Sequence, residues 1–313
     1  DTTGATKQTI SEIGEKLDLE SVAKTAAATK IGLNYVWVLL CGMLIFFFQC
    51  GFAMVETGFC RAKNASHTML MNFLVFLVGL VGFLGMGFAL MCGGVGNLAS
   101  LGGQMPLTSE FKIGEWGIFG YSGFLLTGMA YDVGVFAYFF FQMVFMDTTC
   151  TIPTGGVAER VKISAVILNA LFISAIYYPL YGTWGWGGGW LSQLGSLAGL
   201  GHGVVDFAGS SVVHAMGGVA AFAGAIVIGP RIGKYKKDGT SVAIPGHHVP
   251  MAVIGTIILF FCWFAFNGGS TLSGTDLRAS VVIVNTMIAG AFGGLVATFY
   301  TWKMYGKPDL SMA

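Results

Sequence analysis

Of 313 residues, 55% are hydrophobic and only 10% charged, whereas soluble domains usually carry about 25% charge; a fold solvated by water throughout is excluded. The formal net charge is +1, and no basic cluster interleaved with aromatics stands outside the links, so nucleic acid is not an expected partner. The six cysteines (Cys41, Cys50, Cys60, Cys92, Cys150, Cys262) have no CxxC spacing and fall mostly inside apolar runs, so they read as small buried hydrophobes, with no disulfide framework, metal site or cofactor expected.

The chain opens on Asp1, as after removal of a leader or in a fragment. Residues 1–32 are polar with weak helical periodicity (Lys7, Glu12, Glu15, Lys16, Asp18, Glu20, Lys24) and are expected to form an extracytoplasmic N-terminal arm; 33–313 is the membrane domain. Hydropathy predicts spans at 35–58, 69–94, 131–156, 163–185, 207–229, 250–270 and 280–302, each long enough to cross a hydrocarbon core that takes about 20 residues. The fold class is therefore an all-α polytopic membrane protein. The Gly-rich stretch 115–130 is expected to be a loop helix or a partly inserted turn. Alternate links carry Arg61, Lys63, Arg160, Lys162, Arg231, Lys234, Lys236, Lys237, Lys303 and Lys307, ten of the sixteen basic residues. The positive-inside rule then puts the N-terminus outside. Glycines within the spans (Gly79, Gly82, Gly85, Gly87, Gly290, Gly293, Gly294) predict closely packed helices.

A charge at mid-membrane costs roughly 2.5–3.5 kcal/mol on insertion scales, so polar residues inside spans carry information. Glu56, near the cytoplasmic end of the first span, is expected to snorkel to the interface in a structural role. Asp147, in FMDTTCTIPTGG, reads equally as structural or functional. Asp206 opens the fifth span, where an aspartate ordinarily caps the helix by accepting backbone N–H groups. His214 lies eight residues on, about 12 Å deeper by the helical rise. There a neutral imidazole needs a polar partner or a wet path, and is able to accept, donate or relay a proton. His247 and His248, in PGHHVP, read as surface residues of a cytoplasmic link.

Aromatic residues add a second pattern. Trp186 follows the fourth span and precedes three glycines at an external mouth. Phe141 and Phe145 are one turn apart, as are Phe266 and Ser270. Each alone reads as packing; together they set aromatic faces and a hydroxyl at the outer ends of three spans. Such a set suits a small cation, each cation–π contact being worth roughly 0.5–2 kcal/mol.

The motifs GFAMVETGFCRAKN, FQMVF followed by GGVAERVK, WGWGGGWL, DFAGSSVVH, GPRIGKYKK, GTIILFFCWFAFNGGS and GKPDL resemble, in order and spacing over residues 33–313, the Amt/Mep/Rh family of ammonium transporters. The resemblance implies homotrimers with a pore through each protomer, and eleven spans built as two inverted halves. It also implies an ammonium recruitment site of Phe141, Trp186 and Ser270, a gate of Phe145 over Phe266, pore residues His214 and Trp263, and structural support from Asp206. Trp186 and Ser270 favour the Amt branch. Asp147 stands where many relatives carry a small or apolar residue. The sequence ends where an eighth span is expected, so about seven of eleven spans are present. The chain is thus expected to be part of a longer protein, with the second pore histidine beyond Ala313.

Three functions follow as expectations. The first is transport of ammonium/ammonia, by outer recruitment, deprotonation and passage along a histidine-lined apolar pore. The second is an ammonium sensor, the same domain joined to a cytoplasmic signalling module or regulatory protein. The third is an Rh-like channel for ammonia or carbon dioxide, which Trp186 disfavours. An enzyme is not expected, because no nucleophile–base pair, metal-ligand cluster or phosphate loop is present.

Overall fold

The computed structural model describes residues 14, 19–93, 98–102 and 110–312. Lys7, Glu12, Glu15, Lys16 and Asp18 of the polar arm lie outside the described residues. Among those described, 7 helical segments are long and apolar enough to cross a membrane: Leu19–Phe59, Ala62–Cys92, Val133–Val157, Ile163–Gly185, Ser210–Ile228, Val249–Gly269 and Arg278–Tyr305. They are spans one to seven below, and they fall on the seven hydropathy peaks.

Span one starts well before its apolar run. The helix Leu19–Phe46 breaks at Phe47 and resumes as Phe48–Phe59. Its first turns, LESVAKTAAATK, are rich in alanine and other good helix formers, and Lys24 reaches Glu20 one turn back at 2.6 Å. That exposed pair adds only a few tenths of a kcal/mol, so the helix extends mainly on propensity and on the span that continues it.

Span three is the core of the bundle. Asp132 caps it, its Oδ1 accepting from Gly134 N and Val135 N at 2.8 and 3.1 Å. Pro153 lies inside the helix without ending it. Around this core, small residues let backbones touch. A Cβ at Gly51 would come within 2.7 Å of the Leu259 side chain, and one at Gly255 within 2.7 Å of Gly51 O, so spans one and six cross at a pair of glycines. Gly85, Gly293 and Gly294 instead meet nothing within 4 Å; they are not packing glycines here. Spans two and four each contain a π turn, Phe83–Gly87 and Ile173–Tyr177, and Gly82 and Gly87 fit against Ser174 where the two turns meet.

The links sort to two ends. At one end the Glu159 carboxylate joins the links after spans one, three and five. Its Oε1 accepts from Arg61 N, Arg61 Nε and Asn64 Nδ2 at 2.8, 3.0 and 2.9 Å, and its Oε2 from Arg231 Nη1 at 2.9 Å. Burial raises the Glu159 carboxyl, and these hydrogen bonds outweigh it, bringing it down to about 2. At the other end Asn34 donates to Ser100 O at 2.7 Å and accepts from Ser273 Oγ at 2.9 Å, joining the links after spans two and six. The basic links after spans one, three and five therefore share a face.

The segment before span three differs from expectation. It is an antiparallel hairpin of β1 (Glu110–Ile113) and β2 (Trp116–Gly120), bulged between Phe111 and Lys112, followed by single 3₁₀ turns at Phe124–Leu126 and Gly128–Ala130. Phe111 stacks on Phe119 at 5.0 Å. Trp184 Nε1 donates to Ile118 O at 2.8 Å and Trp190 N to Gly117 O at 2.9 Å, tying the hairpin to the end of span four. Span seven packs on span six through Asn267 Nδ2, which donates to Thr286 Oγ1 at 2.9 Å, and its apolar window is 0% buried.

Candidate functional site

The start of span five is built on Asp206. Its Oδ1 accepts from Gly209 N and Ser210 N at 2.7 and 2.9 Å, and its Oδ2 from Ser211 N, Ser211 Oγ and Val212 N at 2.8, 2.7 and 2.8 Å. This is the cap its position predicts, with four backbone donors that the helix itself leaves orphaned. Burial raises the Asp206 carboxyl, but the bonds from Ser211, Val212 and Gly209 hold it below the usual carboxylate range. Gly209 turns the chain at φ 100°, and a Cβ there would press on Val213 at 2.7 Å and on Trp186 at 3.3 Å. Trp186 Nε1 donates to Asp206 O at 2.6 Å, so one short link fixes both the carboxylate and the indole.

Four rings meet beside it. Phe145 and Phe266, both almost wholly buried, stack with centroids 4.0 Å apart and planes at 27°. Phe141 lies 4.8 Å from Phe145 on the same helix face, and Trp186 meets Phe145 edge-on at 6.0 Å. Ser270 Oγ donates to Phe266 O at 2.7 Å, leaving its lone pairs free to accept. A Cβ on the adjacent Gly269 would stand 3.2 Å from the Phe141 ring, which places the hydroxyl's turn beside Phe141.

On the other side of the stacked pair, His214 lies 5.4 Å from Phe266 and 5.3 Å from Trp263. It sits in a π turn, Ser210–Ala215, and its backbone N donates to Gly209 O at 2.9 Å, five residues back. His214 Nε2 is buried without a hydrogen-bond partner among the described residues. The eight expected site residues thus form one contiguous group drawn from spans three, five and six and the link before span five. Phe48 belongs to it as well, 5.3 Å from both Trp263 and Phe266. Nothing in the run FFFQ separates Phe48 from Phe46 and Phe47, which are 38% and 51% exposed.

Other expectations change. Glu56 does not snorkel: it is buried, accepting from Thr154 Oγ1 at 2.7 and 2.9 Å and from Asn72 Nδ2 at 2.8 Å. Gln49 extends that network, donating to Asn72 O and accepting from Thr151 Oγ1 at 2.7 Å. These groups pin span one to spans two and three, because unpaired polar atoms in hydrocarbon are costly. Asp147 is buried, and its Oδ1 has no partner among the described residues; two residues past Phe145, it points about 200° round the helix from the rings. His247 and His248 are exposed, as expected of surface residues in a link; His248 in addition caps span six, its Nδ1 accepting from Met251 N at 2.9 Å, and His247 N donates to Cys60 O at 3.0 Å. Five of the six thiols are buried and Cys50 is exposed. No group of three metal-ligating side chains occurs among the described residues.

Seven apolar helices, a buried column of rings and an imidazole set into it define a multi-pass membrane protein with a polar element inside the bundle. The model of the Ammonium Transporter Family matches residues 36–313, and the chain belongs to that family. It is 46% identical over 286 residues to the ammonium transporter Amt2 of Archaeoglobus fulgidus, covering 90% of this chain and 57% of that protein. To a putative ammonium transporter of Caenorhabditis elegans it is 35% identical, covering 86% and 48%. A solved structure described as a sensor Amt protein superposes with a TM-score of 0.79 at 36% identity, covering 90% of this chain and 65% of the other. Mep2 of Candida albicans superposes at 0.71 and 26%, covering 89% and 57%. The chain thus spans just over half the length of the Archaeoglobus relative.

Proposed function

We propose that this chain carries one half of an ammonium/ammonia conduction path, and that the stacked Phe145–Phe266 pair between Trp186 and His214 is the observation that carries it. Ammonium is drawn to Phe141, Trp186 and Ser270, where aromatic faces attract the cation and the Ser270 oxygen accepts one N–H. Passing the stacked rings requires it to shed water, and an unpaired charge in hydrocarbon is expensive. The ion therefore gives up a proton, which the unpartnered Nε2 of a neutral His214 accepts and relays, and neutral ammonia continues past the ring. Trp263 walls that step, and Asp206 supports it by holding Trp186 and the turn that carries His214. The N-terminus is outside, residues 1–32 form an extracytoplasmic arm, and 33–313 form the membrane domain, supported by the shared face of the basic links. The assembly is a homotrimer with its regulator or signalling module on the cytoplasmic side.

The test is current and flux through full-length protein in proteoliposomes after an ammonium jump. His214→Ala and His214→Asp reduce transport or uncouple charge from flux. Wild-type currents and selectivity against potassium in both variants would overturn the reading.

A second reading, an ammonium sensor, is favoured by the likeness to the sensor Amt structure. It requires calorimetric ammonium binding by full-length protein that conducts little; robust wild-type flux decides against it.

A further inference from the structure

The seam between spans one, two and three holds a carboxyl with no cation paired to it. Glu56 keeps 9% of its surface and makes no ion pair with any described residue. Arg231 serves Glu159 instead, Arg160 binds Gly229 O and Gly156 O, and Lys234 donates to Val242 O at 3.1 Å. The partners of Glu56 are neutral. Asn72 Nδ2 lies 2.8 Å from Oε2, and Thr154 Oγ1 lies 2.7 Å from Oε1 and 2.9 Å from Oε2. Thr154 Oγ1 also stands 2.6 Å from Thr151 O, in the preceding turn of its own helix. A hydroxyl has one proton to give, and three oxygens surround this one.

Two arrangements of protons therefore fit one set of heavy atoms. With Glu56 a carboxylate, Thr154 turns its proton to the carboxylate and Asn72 Nδ2 supplies a second donor. With Glu56 an acid, its own Oε1–H donates to Thr154 Oγ1, and Thr154 donates to Thr151 O, a bond that helical threonines commonly make. No heavy atom moves between the two. Glu159, clasped by two guanidinium groups, is fixed as the anion; Glu56, with neutral partners alone, is not.

Glu56 also lines a cavity of about 540 Å³ on the side of the basic links, whose other titratable members are Cys60, Arg160, Arg231, Lys234 and Tyr235. Span two faces Glu56 with Asn72, which does not titrate. On span three the next carboxyl is Asp147, seven residues before Thr154 on the same helix face and about 10 Å of helical rise away. Gln49 and Thr151 occupy the interval, bonded to each other at 2.7 Å. Thr154 is nine residues from Phe145, about 14 Å of rise, so this seam is separate from the ring column.

We propose that Glu56 is a proton-binding site that loads and unloads through that cavity, with Thr154 as the partner whose hydroxyl reverses direction. On loading, an O–H bond of a hydronium ion breaks, the Glu56 Oε1–H bond forms, and the Thr154 proton swings from the carboxylate to Thr151 O. Release runs backwards. The site stands whether or not ammonia passes the rings.

The test is infrared difference spectroscopy of full-length protein in lipid, acid against alkaline buffer, with dicyclohexylcarbodiimide as a second probe. Acidification brings up a carboxylic C=O band in the wild type that Glu56→Gln lacks. That variant keeps wild-type Tm, because its amide donates to Thr154 and accepts from Asn72 as the acid does. The carbodiimide reacts with the loaded form: the acid's proton passes to one nitrogen, the carboxyl oxygen bonds the central carbon, and the adduct rearranges to an N-acylurea. Peptide mapping finds this adduct at Glu56 in acid and loses it in alkali. Identical difference spectra for the wild type and a Glu56→Gln of wild-type Tm overturn the proposal, as does a Glu56 peptide left unlabelled at every pH. Labelling independent of pH overturns it too, since it marks an acid that never releases its proton. Labelling of the wild type decides the matter if Glu56→Gln fails to fold.

Discussion

Trp263 lies face to face with the imidazole of His214, ring centroids 5.3 Å apart and planes 23° from parallel. The indole covers one face of the imidazole, and the Phe266 ring, tilted 41° to it, closes another side at 5.4 Å. A histidine held this way presents its ring nitrogens in fixed directions, although Nε2 finds no partner within the described bundle.

If that orientation matters to conduction, Trp263→Leu lowers ammonium current in full-length protein by up to about tenfold, the equivalent of an aromatic pair worth about 0.5–1.5 kcal/mol. Trp263→Phe retains most of it. Equal currents from the leucine variant and the wild type would reduce the contact to packing.

Asp206→Ala removes the acceptor for four backbone N–H groups and costs about 1–2 kcal/mol by analogy with other helix caps. Asp206→Asn keeps one oxygen and costs less. Because the native carboxyl is held below its usual range, its stabilisation is complete above the ordinary aspartate value near ~4. It is lost as pH falls through the lowered native value. Thermal unfolding of wild type and Asp206→Asn over an acid pH series checks the sign: the gap between them narrows as pH drops.

Glu159 behaves alike for a different reason. Its carboxyl sits at about 2 in the folded protein against roughly 4.3 when unfolded, so its contribution is full above the unfolded value and fades as pH falls toward the native one. Its backbone, moreover, has φ 67°, a conformation that costs a residue with a Cβ roughly 1 kcal/mol or more. Glu159→Gly removes the strain and the carboxylate together, and lowers Tm at neutral pH because Arg61, Asn64 and Arg231 lose their common acceptor. A Tm at or above wild type would show that backbone strain outweighs the network.

Gly255→Val drives a side chain into Gly51 O, which an added Cβ already approaches to 2.7 Å. Overpacking of this kind costs about 1–3 kcal/mol. Gly293→Ala, facing nothing within 4 Å, is the control and does not lower Tm, since alanine is the better helix former.

The spans were legible because hydropathy over about 20 residues averages away local detail. The Asp206 cap was legible too, since an aspartate just before an apolar run has one ordinary use. The hairpin was not: its alternation of Phe111 with Ile113 and of Trp116 with Ile118 is only a few residues long and is cut by Gly114 and Gly117. Glu56 was misplaced because depth alone suggested the interface, whereas Asn72 and Thr154, distant in sequence, supply the donors that let it stay inside. For the rings, spacing set Phe141 one turn from Phe145 and Phe266 one turn from Ser270. The pairing of Phe145 with Phe266 across spans came from family resemblance, because helical periodicity says which residues share a face and nothing about what stands opposite.

The π turn at Ser210–Ala215 has a consequence for His214. Such a turn accommodates one residue more than regular α-helical winding, and each residue is worth about 100° of rotation. Were a single residue of Ser210–Val213 deleted, the helix would close into ordinary winding and Met216–Ile228 would keep its seat, while the tether between Asp206 and the imidazole would be one residue short. The direction in which His214 points is thus set by a surplus residue in the backbone, and the histidine's chemistry is hostage to an insertion that no side-chain substitution would reveal.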